Sequence, residues 1–274
     1  GPEYLSLSES ERRFAIQKEV STAIPINSDD VIYSSSVIFS NKEKTKILIV
    51  AASRVALVEW RDFFVSESVS IVAYDSEILA LFRNLRDARV AYPVCVVDIG
   101  KNTSNIAIFD LYGICLSYLV PVAGDFLISE VAAALKIKAA DAESREKEIG
   151  FADSDSTNLF AIVKAAEPLA KEIQSARVQC QRRTGHDVAK IILVGGSSKF
   201  PGLKEYLEAN VSIPINIGSP MLYLNGRASD SDYIEAVGLG LRGVNPERYT
   251  KEPALLFGLK KKWYGGLSNI IGQK

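Results

Sequence analysis

The chain has 274 residues, of which 47% are hydrophobic and 24% are charged, a composition typical of one large or two ordinary globular domains. Its 32 Lys and Arg residues balance 33 Asp and Glu residues, so no overall basic field favours nucleic acid as a partner. It has no apolar run near the ~20 residues that span a membrane, and one histidine and three cysteines disfavour a His-rich metal site or a disulfide framework.

The first part of the chain predicts a compact α+β unit. Ser8 and Glu11 have the spacing of a capping box and predict the start of a helix, which Pro25 ends. Two β-rich runs joined by a polar connector predict a hairpin. The predicted helices cover residues 8–23, 55–64 and 76–85, and the predicted strands cover residues 31–39, 46–52 and 70–73.

From residue 92 onward, buried strands and helices are predicted. Residues 94–97 are a continuous apolar run, as expected for a strand that is covered on both faces. Residues 156–184 predict the longest helix, with one apolar stripe. The other predicted strands cover residues 105–109, 114–121, 191–194 and 214–217, and the other predicted helices cover residues 126–135, 139–148, 201–209 and 234–241.

A turn from Asp98 to Ser104 follows the first buried strand. Gly100 permits close approach of the backbone, and consecutive N–H groups in such a turn can bind an anion. The hydroxyl groups of Thr103 and Ser104 are potential phosphate ligands, and Asp98 is a potential Mg²⁺ ligand. An ordinary hairpin turn explains the same residues equally well.

A second glycine turn, Gly195-Gly196-Ser197, lies between a buried strand and a helix. Such a turn can place backbone against a purine ring or a phosphate. A tight structural turn is the alternative.

The order of these motifs resembles the actin-like ATPase superfamily. Between the two turns lie Gly124-Asp125 and Ala142-Glu143, and residues 238–243 come after them. Within the superfamily, the chain resembles the PilM family of type IV pilus assembly proteins, which is related to the cell-division protein FtsA. The stretch 190–207 is especially similar to PilM.

The resemblance implies an α/β fold of the actin-like (ASKHA, ribonuclease H-like) class, with two lobes around a nucleotide cleft. Residues 8–75 are expected to form an inserted α+β subdomain 1C, residues 76–91 the returning helix of subdomain 1A, and residues 92–245 lobe II. Residues 246–274 are expected to form a basic, amphipathic tail. The first strands of 1A, with the first phosphate loop, have no counterpart in the sequence.

The resemblance also implies a site for ATP and Mg²⁺. The residues expected to bind the nucleotide are Asp98, Gly100, Thr103 and Ser104 in the second phosphate loop, Gly124, Glu143 at the ribose, and Gly195, Gly196 and Ser197 in the adenosine loop, with Asp98 also expected to bind the metal. Glu146 stands where the family has a lysine. This reversed charge and the missing loop predict weak or absent ATP binding.

The implied function is a cytoplasmic scaffold at the inner face of the bacterial inner membrane. Its expected partner is the N-terminal tail of a PilN-type membrane protein, docked partly on residues 8–75, with pilus ATPases as further partners and no nucleic acid. A filament-forming, FtsA-like division protein and an active sugar kinase or ATPase are the alternatives. We expect at most weak ATPase activity, since no general base or nucleophile is evident.

The tail from Lys251 onward has five lysines and one acid, Glu252. Leu256, Leu259 and Trp263 begin an apolar series at helical spacing, which suits contact with an anionic membrane surface. Several glycines disfavour that helix. Disorder, or packing of the tail on lobe II, is therefore the alternative.

Overall fold

The structure, a computed structural model, describes residues 2–27, 29–71, 73–85, 93–146, 156–200, 202–221, 233–244 and 252–255. The chain divides into two compact units. The first consists of residues 1–83 and 236–274, and the second of residues 84–235. Most of the predicted tail, residues 256–274, lies outside the described residues, as does the end of the helix predicted over residues 139–148. The boundaries predicted for 1C, 1A and lobe II stay predictions.

The first unit pairs one β-hairpin with helices. Its elements are α1 (Glu9–Ala23), β1 (Val31–Ser40), β2 (Thr45–Ser53), α2 (Arg54–Ser66) and α3 (Glu77–Asn84). Ser8 and Glu11 form the expected capping box at the start of α1, and β1 pairs antiparallel with β2, which confirms the predicted hairpin.

A small apolar core holds this hairpin layer. Ile32, Leu57 and Leu255 are buried together, and half-buried Tyr74 packs on them. The prediction of a strand over residues 70–73 is wrong for residues 70, 71 and 73, none of which is in a strand. Tyr74 instead forms a single antiparallel bridge with Leu255, so its partner is a distant segment that local sequence does not reveal.

Four charged side chains form a network in the same unit, and three of them, Asp75, Arg83 and Arg242, are buried. Arg83 donates to Asp75 at 2.9 Å and to Glu252 at 2.6 Å, and Arg242 donates to Asp75 at 2.7 Å. The side chains of Arg83 and Asp75 are 1% and 3% exposed. Such charges are tolerated in a protein interior only when they are paired and hydrogen-bonded.

The second unit is built on a five-stranded sheet. The strands are β3 (Val94–Ile99), β4 (Ser104–Asp110), β5 (Gly113–Val120), β6 (Lys190–Val194) and β7 (Ile215–Ile217). Their order in the sheet is β5-β4-β3-β6-β7. Strands β3, β4 and β5 are antiparallel neighbours, whereas β6 and β7 run parallel to β3. The helices are α4 (Gly124–Leu135), α5 (Ala139–Glu146), α6 (Ser156–Thr184) and α7 (Leu203–Val211), and α8 (Ile234–Val244) comes after them in the chain.

The core of this unit lies between the sheet and its helices. Strand β3 is buried at five of its six positions and β6 at four of five, as their continuous apolar runs predict. The apolar stripe predicted for α6 packs into the core through Leu169, Ile173 and Ala176. The helix predicted from residue 201 begins at Leu203. Within the described ranges, no helix is both long enough and apolar enough to cross a membrane.

Candidate functional site

The two glycine turns leave the sheet at the same edge. Strand β3 runs parallel to β6, with Asp98 opposite Val194 in the register. The turn that begins at Gly100 and the turn that begins at Gly195 therefore lie at the carboxyl ends of adjacent strands. In open α/β sheets, this edge is where ligands commonly bind.

The first turn is a tight connection between β3 and β4. The N–H of Gly100 donates to the carbonyl oxygen of Thr103 at 3.2 Å, while Thr103 is exposed at the tip. A Cβ atom on Gly100 would lie 2.9 Å from that same oxygen, closer than real Cβ atoms come. The turn thus requires glycine and presents a threonine hydroxyl to solvent.

Helix α4 begins directly against this turn. The N–H groups of Gly124 and Asp125 donate to the carbonyl oxygens of Gly100 and Lys101 at 3.0 and 2.8 Å. No side chain caps the helix at Ala123, so the turn's carbonyl groups satisfy N–H groups that a helix start leaves unpaired. Gly124 therefore holds the turn in place, and its N–H is already engaged.

The second turn packs against the first one. Gly195 has φ of 84°, and a Cβ atom there would lie 2.6 Å from the carbonyl oxygen of Ile99 and would also collide with the Asp98 carboxylate. The hydroxyl of Ser197 donates to the carbonyl oxygen of Gly100 at 3.3 Å. Gly196 opens a short 3-10 turn (Gly196–Lys199), and a Cβ atom on it would meet open space.

Ser104 has a structural role in this arrangement. Its side chain is buried, and its hydroxyl donates to the carbonyl oxygen of Val122 at 2.5 Å. That bond ties the start of β4 to the segment before α4. A phosphate contact from Ser104 would require its hydroxyl to change partner, so Thr103 is the better-placed hydroxyl of the two.

Two carboxylates approach each other beside the turns. Glu235, in the first turn of α8, has a carboxylate oxygen within 4.8 Å of one of Asp98. Like charges at this distance repel each other, and a cation relieves the repulsion. Oxygen ligands of this kind suit Mg²⁺. Sequence reasoning missed Glu235, and the only local signal was its place at the start of a helix.

Among the described residues, the structure does not place Glu143, the predicted ribose ligand, against the two glycine turns. Glu143 is exposed on α5, and its role stays a prediction. Glu146 is the last residue of that helix, but its side chain lies outside the described residues, as does all of Lys147.

The chain's one histidine lies away from the turns. His186 precedes the amino end of β6, whereas Gly195 comes directly after the carboxyl end of that strand. Burial in the core of the unit raises the pKa of the Cys95 thiol, with a smaller contribution from Cys180. Neither side chain is a nucleophile or base for a ligand at the turns.

The turns fit the phosphate groups of a nucleotide in three respects. Glycine at positions 100 and 195 brings two backbones together where a Cβ atom would intrude. The Thr103 hydroxyl is accessible, and the space beside Gly196 is open. With the Asp98 and Glu235 carboxylates nearby, the arrangement is suited to binding an anion with its metal ion.

Sequence comparisons identify the family of the chain. A model of the family described as "Cell division protein FtsA" matches residues 95–238. The cell division protein FtsA of Pseudomonas aeruginosa is 26% identical over 201 residues, which cover 65% of this chain and 45% of that protein. FtsA of Neisseria meningitidis serogroup B is 25% identical over 171 residues, which cover 53% of this chain and 41% of that protein. The chain thus spans less than half the length of these two relatives.

Comparison with solved structures identifies the same fold. A structure titled "PilM-PilN type IV pilus biogenesis complex" superimposes with a TM-score of 0.72 at 17% identity, over 87% of this chain and 74% of that one. MreB 5 of Spiroplasma citri bound to AMPPNP gives 0.51 at 16% identity, over 72% and 65%. The actin-like fold and the resemblance that the sequence motifs indicated are confirmed.

Proposed function

Because the chain belongs to the FtsA family and has an actin-like fold, we propose that it is a scaffold protein with ATP as a structural or switching ligand. The protein acts by binding partners. Bound nucleotide shifts the balance between its conformations and does not serve as the substrate of a catalysed reaction. The single observation that carries this proposal is the packing of two strand-end glycine turns around the backbone of Gly100.

In this proposal, Asp98 and Glu235 hold Mg²⁺, which neutralises phosphate charge when nucleotide is bound. Thr103 donates its hydroxyl to a phosphate oxygen. Gly195, Gly196 and Ser197 face the adenosine, and Gly124 positions the first turn from behind. Glu143 contacts the ribose, as the family resemblance implies.

We further propose that the scaffold works at the cytoplasmic face of a bacterial inner membrane, where it binds the tail of a PilN-type protein. The similarity to a PilM–PilN complex supports this partner. The docking surface includes α1, where the exposed Phe14 offers an apolar anchor between the polar side chains of Arg13 and Gln17 on a shallow surface. Extended peptides commonly bind through such anchors and backbone hydrogen bonds.

A second candidate is an FtsA-like division protein that assembles into filaments. The family match over residues 95–238 and both curated relatives support it. The two candidates share the nucleotide site and differ in the partner.

Nucleotide chemistry is tested by phosphate release from ATP, measured with and without candidate sugar substrates. We expect slow release that no sugar accelerates. Calorimetry with Mg-ATP, in wild type and in Asp98→Ala, then tests the site: we expect weak binding whose Mg²⁺ dependence disappears in the variant. Substrate-stimulated turnover would refute the scaffold proposal.

The partner is tested with a fluorescent peptide of a PilN-type N-terminal tail. We expect Phe14→Asp to weaken binding about tenfold, as loss of a buried aromatic anchor does. Leu111→Asp, at an exposed position in the second unit, serves as the control and should bind normally. Equal affinity of all three proteins would exclude α1 as the surface, and nucleotide-dependent filaments without peptide binding would favour the division-protein candidate.

A further inference from the structure

Helix α2 carries an apolar face that no described residue covers completely. Trp60 and Phe63 are 56% and 55% exposed, and Phe64 beside them is half-buried. The rings of Trp60 and Phe64 stack with centroids 5.9 Å apart, and Phe63 meets them edge-on at 6.1 and 5.3 Å. We call these three side chains the aromatic face. Clustered exposed rings of this kind mark a surface that another segment covers.

The chain leaves the described residues next to this face. Leu255, the last of them, is buried against Leu57, which lies one helical turn before Trp60. Tyr74 anchors this point, since its N–H donates to the carbonyl oxygen of Leu255 at 2.7 Å and its hydroxyl to that of Leu57 at 2.6 Å. The segment after Leu255 therefore starts within one turn of the aromatic face.

Residues 256–274 are long enough to cover it. The 13 residues of α2 span about 20 Å, while the 19 residues after Leu255 span about 28 Å as a helix and about 60 Å when extended. Leu256, Leu259 and Trp263 recur at spacings of three and four. A helix over them would present one apolar side.

The charges of the two segments are complementary. Residues 256–274 contain four lysines and no acid. Glu59 on α2 and Glu67 just beyond it are exposed beside the aromatic face, and we call these two side chains the acidic rim. Asp62 lies about 200° around the helix from Trp60 and is paired with Arg61 at 2.7 Å. The basic segment and the acidic rim are therefore complementary in charge.

We propose that residues 256–274 fold back within the same chain and dock on the aromatic face of α2. The apolar side of the segment covers Trp60 and Phe63, and its lysines lie over the acidic rim. The docked segment withholds Trp263 and the lysines from other surfaces, so the tail is released only when a competitor displaces it.

Limited trypsin digestion of the whole chain tests this docking at Lys260, Lys261 and Lys262. Docking protects these sites, and Phe63→Asp should accelerate their cleavage roughly tenfold by raising the undocked population. Val65→Asp is the matched control, because Val65 is 60% exposed on the opposite side of the same helix, two residues or about 200° away. It should leave the cleavage rate unchanged.

Circular dichroism establishes that both variants are folded. Equal cleavage of wild type and both variants would overturn the proposal. Protection that rises with protein concentration alongside a dimer in sedimentation would assign the face to a second copy. Protection that appears only with anionic phosphatidylglycerol vesicles, and is insensitive to Phe63→Asp, would assign the segment to a lipid surface.

Fluorescence gives a second measurement. The chain has two tryptophans, so Trp263→Phe leaves Trp60 as the sole emitter. Acrylamide should quench Trp60 about twofold more steeply when Leu259→Asp is added to this background, because the docked segment no longer shields the ring. Identical quenching slopes would contradict docking on the aromatic face.

Discussion

The two units cover their sheets with very different amounts of apolar surface. In the second unit, β3 is buried at five of six positions and β6 at four of five. In the first unit, all nine residues of β2 are only half-buried, and α2 buries Leu57 alone. The second unit thus has a dense core of low compressibility, which suits a site built from backbone atoms.

The first unit adds several specific polar contacts to its smaller apolar clusters. Asp30 accepts hydrogen bonds from the Ser53 hydroxyl at 2.5 Å and the Val55 N–H at 3.0 Å, and these bonds lower the pKa of its carboxyl group. The side chains of Asp75, Arg83 and Arg242 are buried as well, beside the buried apolar residues of α3 such as Leu79 and Leu81. The first unit therefore combines buried charged contacts with apolar packing, and it keeps an exposed aromatic face on α2.

The largest expected effect is in the buried network. Asp75→Ala removes the carboxylate that accepts from both Arg83 and Arg242, and it leaves buried positive charge only partly compensated. We expect a loss of about 3–5 kcal/mol in the free energy of unfolding, measured by urea denaturation. Glu9→Ala, which breaks an exposed pair with Arg13, should change it by less than about 0.5 kcal/mol. Similar effects of the two substitutions would refute the contrast between buried and exposed charges.

The two cores are compared directly by matched leucine truncations. Leu193→Ala in the second unit should cost about 3–4 kcal/mol, because the side chain is fully buried in a close-packed core that cannot collapse around the cavity. Leu57→Ala in the first unit should cost about 2 kcal/mol, since its smaller cluster relaxes more easily. Hydrogen exchange resolves the stability of each unit separately. The reverse order would show that the hairpin layer is the better-packed region.

Substitutions at two adjacent glycines test how tightly the two turns of the candidate site pack together. Gly195→Ala forces a side chain onto a backbone with φ of 84° and against Ile99, so we expect about 1–3 kcal/mol of destabilisation and loss of any Mg-ATP binding. Gly196→Ala places its methyl group in open space and should change stability by less than about 1 kcal/mol. Thermal denaturation and calorimetry measure both. Equal behaviour of the two variants would argue against the packing of the turns.

The smallest expected effect depends on pH. The Arg177 guanidinium donates to Asp187 at 2.7 and 2.6 Å, and these hydrogen bonds hold the pKa of the Asp187 carboxyl below its ordinary value. The pair therefore stabilises the fold fully above about pH 5 and loses its contribution as the pH falls through the lowered pKa.

Asp187→Asn should reduce the loss in the free energy of unfolding at low pH by less than about 1 kcal/mol, because both side chains are partly exposed. Urea denaturation between about pH 3 and pH 7 measures the difference. A larger loss of stability at low pH in the variant than in wild type would contradict a lowered pKa of Asp187 in the folded protein.

Most of the local structure was predictable from residue patterns. The capping box at Ser8, the hairpin of β1 and β2, and the long helix α6 all depend on interactions between residues close in sequence, which a linear pattern records. The two glycine turns were predictable for the same reason, since glycine at the end of a strand favours a tight turn at that point. The strand predicted over residues 70–73, which is absent at residues 70, 71 and 73, had no such local determinant.

The sequence by itself determined the order of helices, strands and glycine turns, because apolar periodicity and glycine placement are local properties of the chain. The actin-like fold class followed from the resemblance of that motif order to a known family. Only the tertiary structure decided how the motifs are used. It turned Ser104 inward to Val122, brought Glu235 to within 4.8 Å of Asp98, and joined Asp75 to Arg242. These pairings connect residues 18 to 167 positions apart, and no local energy term selects such partners, since the packing of the sheet and helices brings them together.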